Sequence, residues 1–475
     1  LAFYFSEKIK ALLLTENILS QAKNDSLPEK VKAAINLRKA ELIKWQRESR
    51  KAGAKTDERG LQKKLFSSKL RYQQFLDSIK LIYPEYYAHL SNIALLPLQK
   101  IRQQLPEDLV VISYVWEPDA KDFDNIYGLL VSKNSCELFQ INQIEELTSD
   151  ISQMLNFLAK PFETNEELHS FRKTSHQLFQ KLFPTDAIKA AIANKRLLIL
   201  PDNQLHNIPF DALVTDEVSG SYLIEQNEIS YSYSMSFQFY NRSIPRKASH
   251  DFIGISPVRF DYDSMMPIDW SGIEVDKLRD ILQGDAIKDK AATKSSFINE
   301  SVDYKIVHLA THANSGKNSW IAFSDQKMHI DELYNTQRNA DLVFLSSCNT
   351  TTGNIAAGEG VLNMARAFFH AGANSVVSTL WNINDKSAFF ITEAFYQNLK
   401  NGYSKSAALR QAKLSYIQAN SLSDISPFYW SSFVLIGDYG QVEGHANKWG
   451  MAAYMALVFT VLFVAILIYF FSRKS

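Results

Sequence analysis

Residues 341–385 read DLVFLSSCNTTTGNIAAGEGVLNMARAFFHAGANSVVSTLWNIND. Two short apolar runs, at 342–346 and 376–380, flank a stretch at 359–371 in which apolar residues recur at helical spacing. Apolar runs without polar alternation are typical of strands that are buried on both faces of a sheet. This segment therefore predicts a strand–helix–strand unit of a parallel sheet.

The same alternation of strands and helices extends over the last third of the chain. Further strand-like runs lie at 252–255, 306–310 and 433–436, and helical stretches lie at 273–282, 386–399 and 405–419. This order predicts an α/β fold with a mostly parallel sheet flanked by helices.

The sequence upstream of these units has two different patterns. Strand-like runs lie at 109–116, 127–131, 138–141 and 196–200. The first three predict an antiparallel meander, and the fourth predicts a strand that ends in a turn. Residues 1–104 are poor in Gly and Pro and predict a helical linker region, the end of a helical-repeat array. Its charge-rich stretch at 38–69 mixes both signs, which favours a solvated helical hairpin over a nucleic-acid-binding arm.

Composition excludes several classes of protein. The chain has 51 Lys and Arg against 51 Asp and Glu, so no nucleic-acid partner is expected. Two cysteines, Cys136 and Cys348, are too few for a disulfide framework or a thiolate-rich zinc site. The sequence begins with Leu1 rather than Met, and we expect it to be a fragment of a longer protein.

The C-terminal segment predicts a membrane span. Residues 451–471, MAAYMALVFTVLFVAILIYFF, carry no charge, and as a helix they would measure about 31 Å, which matches a hydrocarbon core of about 30 Å. Trp449 and Tyr469 lie near the two ends, where interfacial aromatic residues are expected. We therefore expect a transmembrane helix and short basic tail over 448–475, and a single-pass membrane protein. A buried core helix is the alternative.

The orientation follows from the flanking charges. Arg473 and Lys474 follow the span, whereas Lys448 precedes it. The positive-inside rule then favours a cytoplasmic tail and a body on the non-cytoplasmic side. A tail-anchored body in the cytosol is the alternative.

Three polar side chains follow the ends of three predicted strands. His312, Cys348 and Asp385 come just after the runs at 306–310, 342–346 and 376–380. Ligands bind at the carboxyl ends of strands in open parallel sheets, so these side chains converge if the strands are neighbours. An imidazole can take the proton of a thiol, and the imidazolium can then protonate a leaving amine, with no cofactor. On residue types alone, a cysteine that ends an apolar strand is more often an inert core residue.

Several longer motifs add to this pair, and they occur in a fixed order. They are RLLILPDNQLHNIPFDAL at 196–213, VHLATH at 307–312, DLVFLSSCNT at 341–350, GEGVLNMARAFFHAGA at 358–373, VVSTLWNIND at 376–385 and PFYWSSFVLIGD at 427–438. Together they make residues 105–440 resemble the CHAT-domain family of caspase-like cysteine proteases. These proteases are related to separases and are often fused to tetratricopeptide repeats.

The resemblance implies a caspase-like fold and assigns roles to two residues. His312 matches the catalytic histidine of the family, and Cys348 matches its nucleophile. The backbone N–H groups of Ala313 and Cys348 would bind the oxyanion. The sequence departs from the family pattern at Ala313, which replaces a glycine, and at Ser347, which replaces an alanine. The strict caspase pentapeptide around the cysteine is absent.

Other polar residues near these motifs have alternative interpretations. His308 lies inside the apolar run and is expected to be a hydrogen-bonded core histidine rather than the base, and no convincing third ligand accompanies it for a metal. Asp385 either caps the helix that starts at Lys386 or, as in separases, selects a basic substrate side chain. Asn349 and Glu359 are weaker candidates for lining the same substrate cleft. Trp381 and Cys136 are expected to be structural.

Together these features predict a membrane-anchored cysteine endopeptidase that cleaves a protein or peptide substrate through a Cys–His dyad. The resemblance implies regulation by a protein partner through the N-terminal helical region. A catalytically silent scaffold with the same fold is the alternative.

Overall fold

The computed structural model describes residues 2–10, 58–83, 96–117, 125–314, 319–333, 338–346, 358–420 and 425–442, with Thr336 and single positions between 14 and 45. The strands are β1 (Leu109–Glu117), β2 (Asn125–Val131), β3 (Cys136–Ile141), β4 (Arg196–Leu200), β5 (Val214–Asp216), β6 (Ser221–Tyr222), β7 (Glu228–Tyr231), β8 (His250–Ser256), β9 (Asp285–Lys288), β10 (Tyr304–Ala310), β11 (Ala313–Asn314), β12 (Trp320–Ala322), β13 (Lys327–His329), β14 (Leu342–Ser346), β15 (Ser375–Thr379) and β16 (Phe433–Gly437).

The helices lie between these strands and before them. They are α1 (Ala2–Lys10), α2 (Glu58–Ile82), α3 (Leu98–Gln104), α4 (Ile144–Phe157), α5 (Asn165–Leu182), α6 (Asp186–Ile192), α7 (Leu223–Gln226), α8 (Met235–Ser243), α9 (Asp269–Leu282), α10 (Lys294–Glu300), α11 (Ile330–Leu333), α12 (Gly358–His370), α13 (Asp385–Lys400), α14 (Lys405–Ala419) and α15 (Pro427–Trp430). Among the described residues, short 3₁₀ helices occupy 203–207, 210–212 and 289–291.

Eleven strands form one sheet in the order β3-β2-β1-β4-β7-β16-β15-β14-β10-β8-β9. Neighbours from β1 to β16 are parallel, and so are neighbours from β15 to β9. The two groups meet at β15 and β16, which are antiparallel. The sheet therefore has two parallel halves that run in opposite directions.

The predicted fold class is confirmed for this part of the chain, which is mixed α/β with a large, mostly parallel sheet flanked by helices. The meander is present as β1, β2 and β3, which pair antiparallel. Every residue of β14 and β15 is buried, as the continuous apolar runs predicted.

Helix α1 packs against the first half of the sheet. The buried Glu7 carboxylate accepts hydrogen bonds from the backbone N–H groups of Met235 (2.9 Å) and Ser236 (2.7 Å) at the start of α8. Lys10 Nζ donates to the Leu200 carbonyl at 2.8 Å. Loss of hydration lowers the pKa of Lys10 to about 8.

The predicted membrane localisation is corrected by the helices of the structure. Within the described ranges, no helix combines the length and the apolar composition that a bilayer crossing requires. Helix α2 is long enough, with 25 residues, but charged side chains such as Lys64 and Arg71 occur along it. The segment predicted to span a membrane, 451–471, lies outside the described residues.

Candidate functional site

The strands that precede His312 and Cys348 are neighbours. Strands β10 and β14 pair in parallel, and their last paired residues are Ala310 and Ser346. In the sequence, His312 lies two residues after Ala310, and Cys348 lies two residues after Ser346. Cys348 itself lies outside the described residues. Strand β15, which precedes Asp385, is the next neighbour of β14, so all three strands end at one edge of the sheet.

The His312 ring is buried, and one backbone contact orients it. Its Nε2 lies 2.7 Å from the Met266 carbonyl oxygen. A carbonyl only accepts hydrogen bonds, so Nε2 must carry the hydrogen. In the neutral ring Nδ1 then has a free lone pair, and Nδ1 has no hydrogen-bond partner among the described residues. The Phe260 ring packs against the imidazole at a centroid distance of 5.0 Å.

Burial also sets the charge state of this histidine. Loss of hydration lowers the pKa of His312 below its ordinary value of 6.5, although the Met266 carbonyl and the negative charge of Asp385 oppose the shift. The imidazole is therefore mostly neutral near pH 7, the form in which Nδ1 can accept a proton.

The loop at 257–268 that supplies the Met266 carbonyl has an unusual backbone. Val258, Asp263 and Ser264 have positive φ angles of 57°, 56° and 48°. A β-branched residue in this region is an outlier, and such residues cost of order 1–3 kcal/mol each. A hydrogen bond of 2.9 Å from Ile268 N to the Val258 carbonyl closes the loop. Strain of this kind is common beside functional sites.

Ala313 presents its N–H away from the neighbouring strand. It pairs with Ile321 of β12, and Ala322 N donates to the His312 carbonyl at 2.8 Å. In an antiparallel ladder this bond makes Ala313 and Ile321 a non-hydrogen-bonded pair, so the Ala313 N–H points away from β12. Ala313 is also not among the residues with positive φ. The alanine therefore adopts an ordinary conformation, and the change from the family glycine requires no backbone strain.

Asp385 is the first residue of α13, but it is not the cap of this helix. The cap is Asn384, whose side chain accepts a hydrogen bond from Ser387 N at 2.8 Å. The cap interpretation of Asp385 is therefore wrong by one residue. Asp385 is partly exposed and close enough to influence His312 electrostatically. Within the described part of the chain it forms no ion pair with a Lys or Arg side chain.

His308 is a core histidine, as predicted. It is fully buried, and its Nδ1 lies 3.1 Å from the Tyr396 hydroxyl. Its Nε2 lies 3.2 Å from Glu274 Oε1, although the angles at these atoms do not satisfy hydrogen-bond geometry. The imidazole stacks on the Phe344 ring at 5.2 Å. These contacts hold the ring within the helix-covered face of the sheet.

The remaining predicted residues have different outcomes. Trp381 is buried, and its Nε1 donates to the Phe428 carbonyl at 2.9 Å, which confirms a packing role. Cys136 is exposed on the edge strand β3, so it is not a core residue, and partial loss of hydration raises the pKa of its thiol. Asn349 lies outside the described residues, and only the backbone of Glu359, in α12, lies within them.

A cavity of about 300 Å³ lies in the other half of the sheet, where Leu109, Leu198 and Phe239 line it. Its walls are mostly apolar and come from α3, β1, β4 and α8. It lies away from the elements that surround His312, so its shape gives no support to that site.

The fold is that of an open α/β sheet with an oriented histidine at the carboxyl ends of its strands, which is where such proteins bind ligands. The model of the CHAT domain family matches residues 172–438, more than half of the chain. The protein therefore belongs to the CHAT-domain family.

Two curated relatives and two solved structures resemble parts of the chain. Tetratricopeptide repeat protein 28 of Mus musculus and of Homo sapiens are each 31% identical over 121 residues, which is 26% of this chain and 5% of theirs. The Saccharomyces cerevisiae separase–securin complex matches with a TM-score of 0.45 at 11% identity, over 74% of this chain and 31% of the other. Gingipain R, an Arg-specific cysteine proteinase, matches with a TM-score of 0.36 at 10% identity, over 59% and 68%.

Proposed function

We propose that this protein is a cysteine endopeptidase in which Cys348 is the nucleophile and His312 the base. The observation that carries the proposal is the orientation of His312. Its Nε2–H is held by the Met266 carbonyl, and its buried Nδ1 has no partner among the described residues. The placement of the two residues after adjacent strands β10 and β14 supports their pairing.

The proposed reaction needs only groups of the chain and water. His312 Nδ1 takes the thiol proton, and the Cys348 sulfur attacks the peptide carbonyl carbon. The N–H groups of Ala313 and Cys348 bind the oxyanion that forms. The imidazolium gives its proton to the leaving amine, which leaves a thioester on Cys348. Water, deprotonated by His312, then hydrolyses the thioester and frees the thiol.

We further propose that Asp385 selects a basic residue on the acyl side of the cleaved bond. The carboxylate is partly exposed, lies near His312 and has no described basic side chain as an ion-pair partner. A bound Lys or Arg side chain would supply that partner. Asn349 and Glu359 stay candidates for lining the same cleft.

We also propose that a protein partner regulates the site through the N-terminal helical region, residues 1–104, and that the protease unit spans residues 105–440. The support is that α1 is joined to this unit by Glu7 and Lys10, whose charged groups bind backbone atoms of α8 and β4. If α1 is displaced, the Glu7 carboxylate and the Lys10 ammonium lose these hydrogen bonds and return to water.

The two cysteines provide a matched test of the protease proposal. A peptide with a basic residue and a thiol-reactive ketone at its C-terminus is incubated with the chain, with Cys348→Ala and with Cys136→Ala. We expect labelling of the chain and of Cys136→Ala, and none of Cys348→Ala. Equal reactivity of the two cysteines, or labelling lost only in Cys136→Ala, would contradict the proposal and favour a silent scaffold.

A further inference from the structure

Three large apolar side chains are exposed beside the candidate site. Met266, Trp270 and Ile273 have exposed fractions of 73%, 55% and 54%. We call these three residues the apolar ridge. It is continuous with the catalytic histidine, because the Met266 carbonyl is the hydrogen-bond partner of His312 Nε2. A single exposed apolar residue needs no explanation, but a group of three at one site does.

The apolar ridge and Asp385 lie at the starts of two neighbouring helices. Helices α9 and α13 follow the carboxyl ends of β8 and β15, which are parallel members of the same half of the sheet. An ion pair of 3.3 Å joins Lys277 of α9 to Glu393 of α13. Lys277 lies eight residues after Asp269, the first residue of α9, and Glu393 lies eight residues after Asp385, the first residue of α13. The first turns of the two helices therefore lie side by side.

The first turns of the two helices carry two carboxylates and one cation. Asp269 begins α9, and Asp385 begins α13, with Lys386 next to it. Negative charge is therefore in excess, which favours a basic ligand. Trp270 and Ile273 are three residues apart on one helix face, about 4.5 Å along its axis. This separation is short enough for one large apolar side chain to contact both.

We propose that the apolar ridge binds a large apolar side chain of the peptide substrate, a few residues before the basic residue that Asp385 selects. This inference rests on the proposed function. The occupant is the peptide itself, because the ridge continues directly from the His312 partner Met266 and stands beside the acidic first turns. The loop at 257–268, with its three positive-φ residues, carries Met266, whose side chain belongs to the ridge and whose carbonyl orients His312.

Binding is measured without cleavage, on the full chain with Cys348→Ala. The ligands are fluorescein-labelled octapeptides with one central Arg, and with Phe or Ser at each of the three preceding positions. Fluorescence anisotropy is expected to show a preference for Phe of roughly tenfold at one position, the size that one apolar contact typically gives. Adding Trp270→Ser or Ile273→Ser should remove this preference, so that the Phe and Ser peptides bind with equal affinity.

Leu138→Ser is the matched control. Leu138 is as exposed as Trp270, at 55%, but lies on β3 at the far end of the sheet. It should leave the Phe preference intact. Thermal unfolding verifies that each variant is folded. No preference at any position, or a preference that survives both ridge substitutions, overturns the inference. So does a change of oligomeric state in the ridge variants with peptide binding unaltered, which would assign the ridge to a second copy of the chain.

The same peptides separate this inference from the proposed function. If the chain with Cys348 intact binds Phe peptides through the ridge but never cleaves them, the protease proposal fails and the ridge stands as a peptide-binding surface. If cleavage occurs equally for Phe and Ser peptides, the protease proposal stands and the ridge inference fails.

Discussion

Replacement of Lys405 by methionine is expected to lower the free energy of unfolding by about 3–5 kcal/mol. The Lys405 ammonium lies 3.0 Å from the Asp341 carboxylate and 2.9 Å from that of Asp438. The lysine side chain is fully buried, and the carboxylates are 7% and 5% exposed. Methionine fills a similar volume but removes the buried cation that the two carboxylates share. Arg242, 3.5 Å from Asp438 and largely exposed, stays in place. The loss of the shared buried cation sets the size of the effect.

Urea unfolding of the full chain, followed by circular dichroism, measures this change. Lys277→Met is the control, since its ion pair with Glu393 has exposed fractions of 51% and 36% and should contribute less than about 1 kcal/mol. A Lys405→Met variant that also carries Asp341→Asn and Asp438→Asn should recover part of the loss, because the two buried negative charges are gone. A loss below about 1 kcal/mol for Lys405→Met would refute the reasoning.

Three further predictions concern the site and one buried histidine. His312→Ala should slow peptide cleavage by roughly 10²- to 10⁴-fold, because the base and acid are both lost, and steady-state kinetics on a basic peptide measure it. Ala313→Pro removes the proposed oxyanion donor and should reduce kcat by roughly 10²- to 10³-fold, whereas Ala313→Gly keeps the N–H and should stay near wild type; an equal loss in both variants would contradict the assignment. Burial lowers the pKa of His206 to about 4, below its unfolded value of 6.5, so protonation favours the unfolded chain as the pH falls through this window. At pH 5 this amounts to about 2 kcal/mol, and His206→Gln should reduce the difference in thermal stability between pH 7 and pH 5; an unchanged difference would argue against it.

The sequence predicted most strands because their signal is local. The runs at 196–200 and 342–346 are apolar except for Arg196 and Ser346 at their ends, and β4 and β14 have these bounds. The residue at which a helix begins is harder to predict, because neighbouring residues such as Asn384 and Asp385 are both good caps. Only the hydrogen bond that the Asn384 side chain accepts from Ser387 N distinguishes them.

Other features of the fold and of the site could not be predicted from the types of side chain in the sequence. Met266 acts through its carbonyl oxygen, which every residue has, so no residue type could have identified it. The direction of β16 relative to β15 depends on contacts between distant segments, and apolar runs do not encode direction. Strand β7 is a short EISY sequence without a continuous apolar run, and it was not predicted. The exposed ridge at Trp270 and Ile273 was not predicted either, because helical periodicity does not tell which apolar residues stay uncovered.

The position of β16 has a consequence for how the chain reaches its folded state. It is the last of the described strands along the chain, yet it lies in the middle of the sheet, between β7 and β15. Until residues 433–437 leave the ribosome, the two halves cannot join, and both inner strands present open edges. Such edges invite pairing with other chains, and late long-range pairing slows folding. The nascent chain therefore passes through a stage in which the edges of β7 and β15 are both open to pairing with other chains.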